Sequence, residues 1–410
     1  MQGHGRPQSR QSPHTNNAKR SMVCFVVWLA VAGLAGMATP SMAFELEAHQ
    51  ASSGDTQVLT NKTQGPPALW FACDGATSDV QQTLSQPGVL SDLQELKAGV
   101  SLALPELSEG RAQMVLQLNR AGIPVTAWLA LPGAQGYYLN ASNVQGAKTR
   151  FKEFQRWSAA YGLRWAGIGL DIEPNIQDFE ALGKGHKWRV VSMISRRCFD
   201  VERVKRARAS YAELIHEMHS DGYAVETYQF PFIADERDAH STLLERITGI
   251  VDIRADREAL MLYTSFNPAL DSALIWVYGP EAQAIAVGST QGSNAGPRFH
   301  PLNWEEFSRD LLVAHHFTNI IGVYNLEGCV RKGLLVRLKS MNWEEPVVIP
   351  AEAIRKAKRF RVRIQAAIWA VSHLPYIFTG ALLGVALIIW SIGRRPKAKR
   401  CAVQGQPEQA

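Results

Sequence analysis

The sequence predicts an α/β fold, a (β/α)8 TIM barrel, from three observations. Apolar runs of roughly five to eight residues recur eight times along the middle of the chain, helical segments separate them, and the stretch that holds them spans about 300 residues. Continuous apolar runs mark strands buried on both faces, which implies parallel pairing. Eight such strands with helices between them close into a barrel, and this length suits one barrel. A doubly wound open sheet is the alternative. Against it, "GPPALWFACDGA", Gly65 to Ala76, lacks the glycine spacing of a phosphate-cradling turn.

The predicted strands are, in order, "LWFACD" (69–74), "GVSLAL" (99–104), "PVTAWLAL" (124–131), "WAGIGLDIE" (165–173), "YAVETYQF" (223–230), "ALMLYTS" (259–265), "AIAVGS" (284–289) and "NIIGVYNLEG" (319–328). Helical patterning follows the second strand in "RAQMVLQLNRAG" and the third in "GAKTRFKEFQRWSAAYG". After the fourth comes a long loop containing "GKGHKW", then the helix "RVKRARASYAELIHEMHSDG". The last four strands precede "HSTLLERITG", "DSALIWVYG", "NWEEFSRDLLVAHHF" and "GLLVRLKSMNW".

The ends of the chain read differently. Residues 1–20 carry Arg6, Arg10, Lys19 and Arg20 and no acid; an apolar run and small residues at Ser41 and Ala43 follow. This is the layout of a secretory signal over residues 1–43, either cleaved or kept as a signal anchor. Residues 44–66 are polar and read as a linker, and the barrel is expected over 67–345. Residues 346–365 form a basic juxtamembrane segment. Ala366 to Gly393 carries no Asp, Glu, Lys or Arg and is long enough to span a bilayer, and residues 394–410 are a basic tail. The domain between signal and span is therefore expected outside the cytoplasm, with the basic pre-span segment against the outer lipid surface.

These segments also explain the charge. The formal net is +6, yet residues 1–43 contribute +4, residues 351–365 +5 and residues 394–410 +4, which leaves residues 44–350 at −7. An acidic globular part argues against nucleic acid as a partner.

Asp171 and Glu173 close the fourth strand two positions apart, so their side chains face the same way, with Gly169, and Ile168, Leu170 and Ile172 face the other. The aliphatic set suits the strand–helix interface, which turns the acids into the barrel mouth, where the active face of such barrels lies. Two neighbouring buried carboxyls cannot easily both ionise, and one is then held protonated and fit to protonate a leaving oxygen.

"AGIGLDIE" resembles the D-G-x-D-x-D-x-E signature of the chitinase-like family 18 glycoside hydrolases, whose last two acids match Asp171 and Glu173. "MLYT", Met261 to Thr264, resembles the M-x-Y-D segment of that family's sixth strand, and "GVYNLEG", Gly322 to Gly328, is similar to the G-x-M-x-W segment of its eighth. The chain departs from the family where the first two signature acids are Ala166 and Gly169, the acid of M-x-Y-D is Thr264, and the tryptophan position holds Leu326. "AWLA", Ala127 to Ala130, stands where the family has S-x-G-G. The resemblance implies substrate-assisted retaining hydrolysis: Glu173 as general acid and then base, Asp171 orienting a substrate acetamido group, and Tyr263 holding that group's oxygen.

A mechanism with two protein carboxylates is the alternative. "IEP" is similar to the N-E-P of other barrel glycosidases, which pair it with a seventh-strand Glu, and "AIAVGSTQG" has none. Asp74, Glu226 and Glu327 are the other candidate acids, with Glu226 and Tyr228 on one face of the fifth strand beside Asp171 and Glu173. Trp128, Tyr137, Tyr138, Tyr228, Phe230 and Tyr263 are candidate sugar platforms, whereas Trp70 and Tyr324 read as core filling. His216 and His219, and His315 and His316, lack the spacing and number of a metal site, and no cofactor is implied. A closed barrel brings Cys73, at the end of the first strand, beside Cys329, just after the eighth. It predicts a Cys73–Cys329 disulfide with Cys198 free; three reduced thiols are the alternative. The functional expectation is a membrane-tethered glycoside hydrolase acting on an N-acetylated or other cell-surface glycan, with carbohydrate and membrane as partners. A non-catalytic glycan-binding barrel is the alternative.

Overall fold

The structure is a computed structural model that describes residues 57–59, 65–175, 187–291 and 300–393, with side chains over 65–175, 192–291 and 300–373. The predicted signal, most of the predicted linker, the "GKGH" part of the loop after the fourth strand and the basic tail lie outside these residues.

All eight predicted strands form. After a short strand β1 (Gln57–Leu59) come β2 (Ala68–Cys73), β3 (Gly99–Ala103), β4 (Val125–Leu129), β5 (Gly167–Asp171), β6 (Val225–Gln229), β7 (Arg257–Met261), β8 (Ala284–Gly288) and β9 (Ile320–Tyr324). Strands β2 to β9 pair in parallel and in sequence order, and β9 returns to β2, with Ala68 beside Ile320 and Ala72 beside Tyr324, so the barrel is closed. Phe71, Leu102, Leu170, Ile285 and Val323 are wholly buried between the strands and the helical layer, which is why both faces of each run are apolar.

Helix boundaries follow local chemistry. The Asn303 side chain accepts from the Glu306 N–H while the Glu306 carboxylate accepts from the Asn303 N–H, a reciprocal cap that opens the helix Trp304–Phe317. Gly162, at φ 61°, closes the helix Val144–Tyr161 in the left-handed region that a side chain disfavours. Two helices after β2, Thr77–Leu84 and Val89–Glu95, were not legible as periodic segments. "TSDVQQTL" is mostly polar and buries only Val80, Thr83 and Leu84.

Part of the predicted linker is ordered, because β1 pairs antiparallel with β10 (Val347–Ile349) outside the barrel. A basic segment follows. It belongs to the helix Ala351–Gly393, whose Ile354, Ala357, Ile364 and Ile368 are buried in the same core as the barrel. Arg361 donates to Asp235 (2.7 Å) and to the Val277 carbonyl (3.0 Å), and its guanidinium lies 4.7 Å from the Tyr278 ring centre. The chain divides at Ile368 into two compact units. In the second, the Trp369 and His373 rings stack at 4.7 Å. Among the described residues no helix is long and apolar enough to cross a membrane; most of the apolar stretch predicted to span lies beyond the described side chains.

The predicted Cys73–Cys329 bridge is not formed: Cys73, Cys198 and Cys329 are free thiols. Trp70 and Ala72 line the barrel interior, so Cys73 faces the opposite way, into the helical layer. Cys329 turns its Sγ toward the Thr290 hydroxyl, 3.7 Å away, rather than toward β2. Burial raises the pKa of both thiols and so holds them protonated.

Three buried carboxyls set a pH dependence. Glu236 accepts from the N–H groups of Leu244 (2.6 Å) and Glu245 (3.1 Å), Asp310 accepts from the Thr264 hydroxyl, and Glu327 accepts from the Gly75 N–H (2.9 Å). Burial pushes each of them up to about 7. The folded pKa lies above the unfolded one, so the native state holds more protons between about pH 4 and about pH 7, and their contribution to stability is lost as pH rises through that window. Asp310→Asn removes one of these titrations. Its midpoint of thermal unfolding is expected to fall less than the wild-type midpoint between about pH 5 and about pH 8. An equal fall in both proteins would show that Asp310 does not titrate there.

Candidate active site

The acids of β5 reach the mouth because the strand is extended by one more rung. The Leu139 N–H donates to the Asp171 carbonyl and the Glu173 N–H to the Leu139 carbonyl, each at 3.1 Å, with Leu139 bridged to Ile172. This pairing keeps the backbone extended through Glu173, so Asp171 and Glu173 project to the same side. Both are almost wholly buried and both line a pit at the C-terminal end of the barrel, with Trp128, Tyr138, Tyr263 and Tyr324 around them. The pit has a cavity volume of about 30 Å³ and is partly open to solvent.

Its walls are aromatic. Tyr263 lies against Tyr324 with ring centres 5.5 Å apart and planes 31° apart. Trp70 stacks on Tyr228 at 5.3 Å, and Trp128 meets Tyr228 edge-on at 5.9 Å. Trp70 and Tyr324, read from the sequence as core filling, both line the pit. Trp70 does so because Gly322 on β9 leaves room for its ring: a Cβ there would stand 2.2 Å from it.

The structure separates the remaining candidates. Asp74 accepts from the Tyr324 hydroxyl (2.7 Å) and from the Asn325 side-chain amide (3.0 Å), so it orients a wall residue from behind and is not itself a lining group. Glu327 does not line the pit either. It sits in the first turn of the helix Leu326–Arg331, and its Oε2 has no hydrogen-bond partner among the described residues. Burial, and then Asp74, raise its pKa. Glu226 is on the interior face, as expected, but one layer below the acids. It accepts from the Tyr228 hydroxyl (2.6 Å) and from Arg257 Nε (3.0 Å), and it borders a groove at the N-terminal end of the barrel. It therefore does not share the pit with Asp171 and Glu173. Tyr228 contributes its ring to the pit, while its hydroxyl points down to Glu226 and to Ser101 (2.7 Å).

Ser101 and Arg257 were not legible as site-related residues. Ser101 is an unremarked hydroxyl in an apolar strand, and Arg257 meets its partner 31 positions away. Only the sheet register, which sets Gly169 beside Glu226 and Glu226 beside Arg257, brings them together.

Gly169 explains one departure from the strand signature. A Cβ at this position would lie 2.5 Å from the Tyr228 hydroxyl oxygen and 2.8 Å from its ring. The ring is held by Trp70 and Trp128 and cannot retreat. Gly169→Ala is accordingly expected to destabilise the fold by about 2 kcal/mol, the scale of overpacking in a filled core. Chemical denaturation measures this, and a change within error would mean that Tyr228 has another place to go.

No protein-family model matches the chain, and no curated protein matches it. Among solved structures it is similar to the glycoside hydrolase domain of PgaB (BpsB) from Bordetella bronchiseptica, with a TM-score of 0.39 and 11% identity over 67% of this chain and 98% of that one. A likeness this loose carries no argument about activity, and the candidate site stands on its own geometry.

Proposed function

We propose that the protein is a glycoside hydrolase-like barrel that acts on an N-acetylated or other cell-surface glycan, with Glu173 as general acid and then base. The observation that carries this reading is the pair Asp171 and Glu173, buried side by side at the barrel mouth within a wall of aromatic rings. Aromatic faces suit the C–H faces of pyranose rings, and a desolvated carboxyl beside a second one is suited to hold a proton for a leaving oxygen. The small pit takes the acetamido substituent: Asp171 orients it, Tyr263 meets its oxygen, and the sugar ring stays above. The amide oxygen then attacks the anomeric carbon while Glu173 protonates the departing oxygen, and water later opens the cyclic intermediate with Glu173 as base. Export by residues 1–43 and anchoring by the uncharged stretch 366–393 belong to the same proposal and rest on the sequence pattern.

Turnover of a panel of aryl glycosides by the full chain tests it. Aryl 2-acetamido-2-deoxy sugars are expected to be cleaved and the corresponding plain glucosides not. Efficient cleavage of plain glucosides would sink the substrate-assisted route.

A second reading, a non-catalytic glycan-binding barrel, is favoured by one observation. The position of an inner acid in the strand signature is closed by Tyr228. Tight binding of N-acetylated oligosaccharides with no turnover of any of them is the outcome that selects it.

A further inference from the structure

The strand signature that β5 resembles places acids below Asp171, and here the nearest of those positions is Gly169. The space is not empty. The Tyr228 hydroxyl oxygen sits 2.5 Å from where a Gly169 Cβ would stand, and the register sets Tyr228 directly beside Asp171 and Glu226 directly beside Gly169. The hydroxyl is fixed there from two sides. It donates to Glu226 at 2.6 Å and meets the Ser101 hydroxyl at 2.7 Å, and Arg257 holds Glu226 from below with its Nε at 3.0 Å. Ser101, Tyr228 and Glu226 are all buried.

We infer that Tyr228 is a positioning residue for Asp171: its hydroxyl, clamped by Ser101 and Glu226, fills from the neighbouring strand the place of the missing inner acid, and the Glu226 carboxylate supplies negative charge beneath Asp171. This rests on the reading of Asp171 as a working residue of the site. An anion below a carboxyl disfavours its ionisation and helps it retain a proton. The Tyr228 phenol responds to the same surroundings, since burial first, then the Glu226 carboxylate, and more weakly Asp171 hold its pKa well above the ordinary value. The charged and titratable groups around the hydroxyl are Asp171 and Glu173 from β5 and its short extension, Glu226 from its own strand and Arg257 from β7; Tyr263, beyond the end of β7, shares the pit.

The sign of the effect is fixed. Glu226→Gln deletes the anion and leaves Arg257, and both changes favour the Asp171 carboxylate. The test follows the Asp171 carboxyl carbon by NMR in the full chain labelled at aspartate, assigned by its loss in Asp171→Asn. In Glu226→Gln the titration is expected to move to lower pH by about half a unit or more. Tyr228→Phe, which keeps the ring and its stacking on Trp70, removes the hydrogen bond that partly neutralises Glu226 and is expected to move it the other way, to higher pH. Where a glycoside is turned over, Tyr228→Phe is also expected to lower kcat about tenfold at unchanged KM, because the lost hydroxyl is engaged by Ser101 and Glu226. An unmoved Asp171 titration in both folded variants overturns the inference. If Glu226→Gln does not fold, Tyr228→Phe alone decides it. The titration needs no substrate, so the two readings separate. A shift without turnover of any glycoside keeps the inference and sinks the hydrolase, whereas turnover with an unmoved titration sinks only the inference.

Discussion

Glu173→Gln is expected to lower turnover by about 10² or more, the scale of general acid–base catalysis. The amide has nearly the shape of the acid but holds no transferable proton for the leaving oxygen. Glu173 is buried on the pit, and its backbone is fixed by the hydrogen bond to Leu139, so the substitution leaves the strand end in place. The loss should therefore fall on kcat, with little change in the unfolding midpoint. An activated aryl leaving group, which needs less protonation, is expected to lose less in the first step than a sugar leaving group. Unchanged kcat on both would remove Glu173 from the mechanism.

Asp235→Ala is expected to destabilise the first unit by about 3 kcal/mol, the lower end of what breaking a buried ion pair costs, and to lower its thermal midpoint by roughly 5 °C. Asp235 is wholly buried and accepts from Tyr278 (2.7 Å), Arg361 (2.7 Å) and Gln365 (3.1 Å). Its removal leaves a mostly buried guanidinium with, among the described residues, only the more exposed Asp238 and Glu281 as anionic partners. The loss should appear in differential scanning calorimetry without a change in glycoside turnover, because none of these residues borders the pit. An unchanged midpoint would mean that residues 351–368 do not hold the barrel.

The parallel barrel was legible because its signal is local. Each strand is a run of apolar residues, and the side-chain alternation in "GIGLDIE" alone turned Asp171 and Glu173 inward together. The two helices after β2 were missed because their buried residues are few and set among polar ones. The basic composition of residues 346–365 predicts a segment against a lipid surface and gives no sign that Arg361 has Asp235 as a partner 126 positions earlier. The cysteine pairing failed for a related reason. Proximity of β2 and β9 was inferred correctly, but a bridge also needs both side chains turned toward each other, and Cys329 faces Thr290.

By itself the sequence determined the number and order of the barrel strands, the end of the barrel on which the acids lie, and the shared direction of Asp171 and Glu173. Periodicity of two and of 3.6 is written in neighbouring residues. Only the tertiary structure decided the layer each polar group occupies. It lowered Glu226 to Arg257, put Asp74 behind Tyr324, kept Glu327 off the pit, and filled the void over Gly169 with Tyr228. Those outcomes depend on register between strands distant in sequence and on the room left by glycines, and such long-range packing is encoded in no single stretch of the chain.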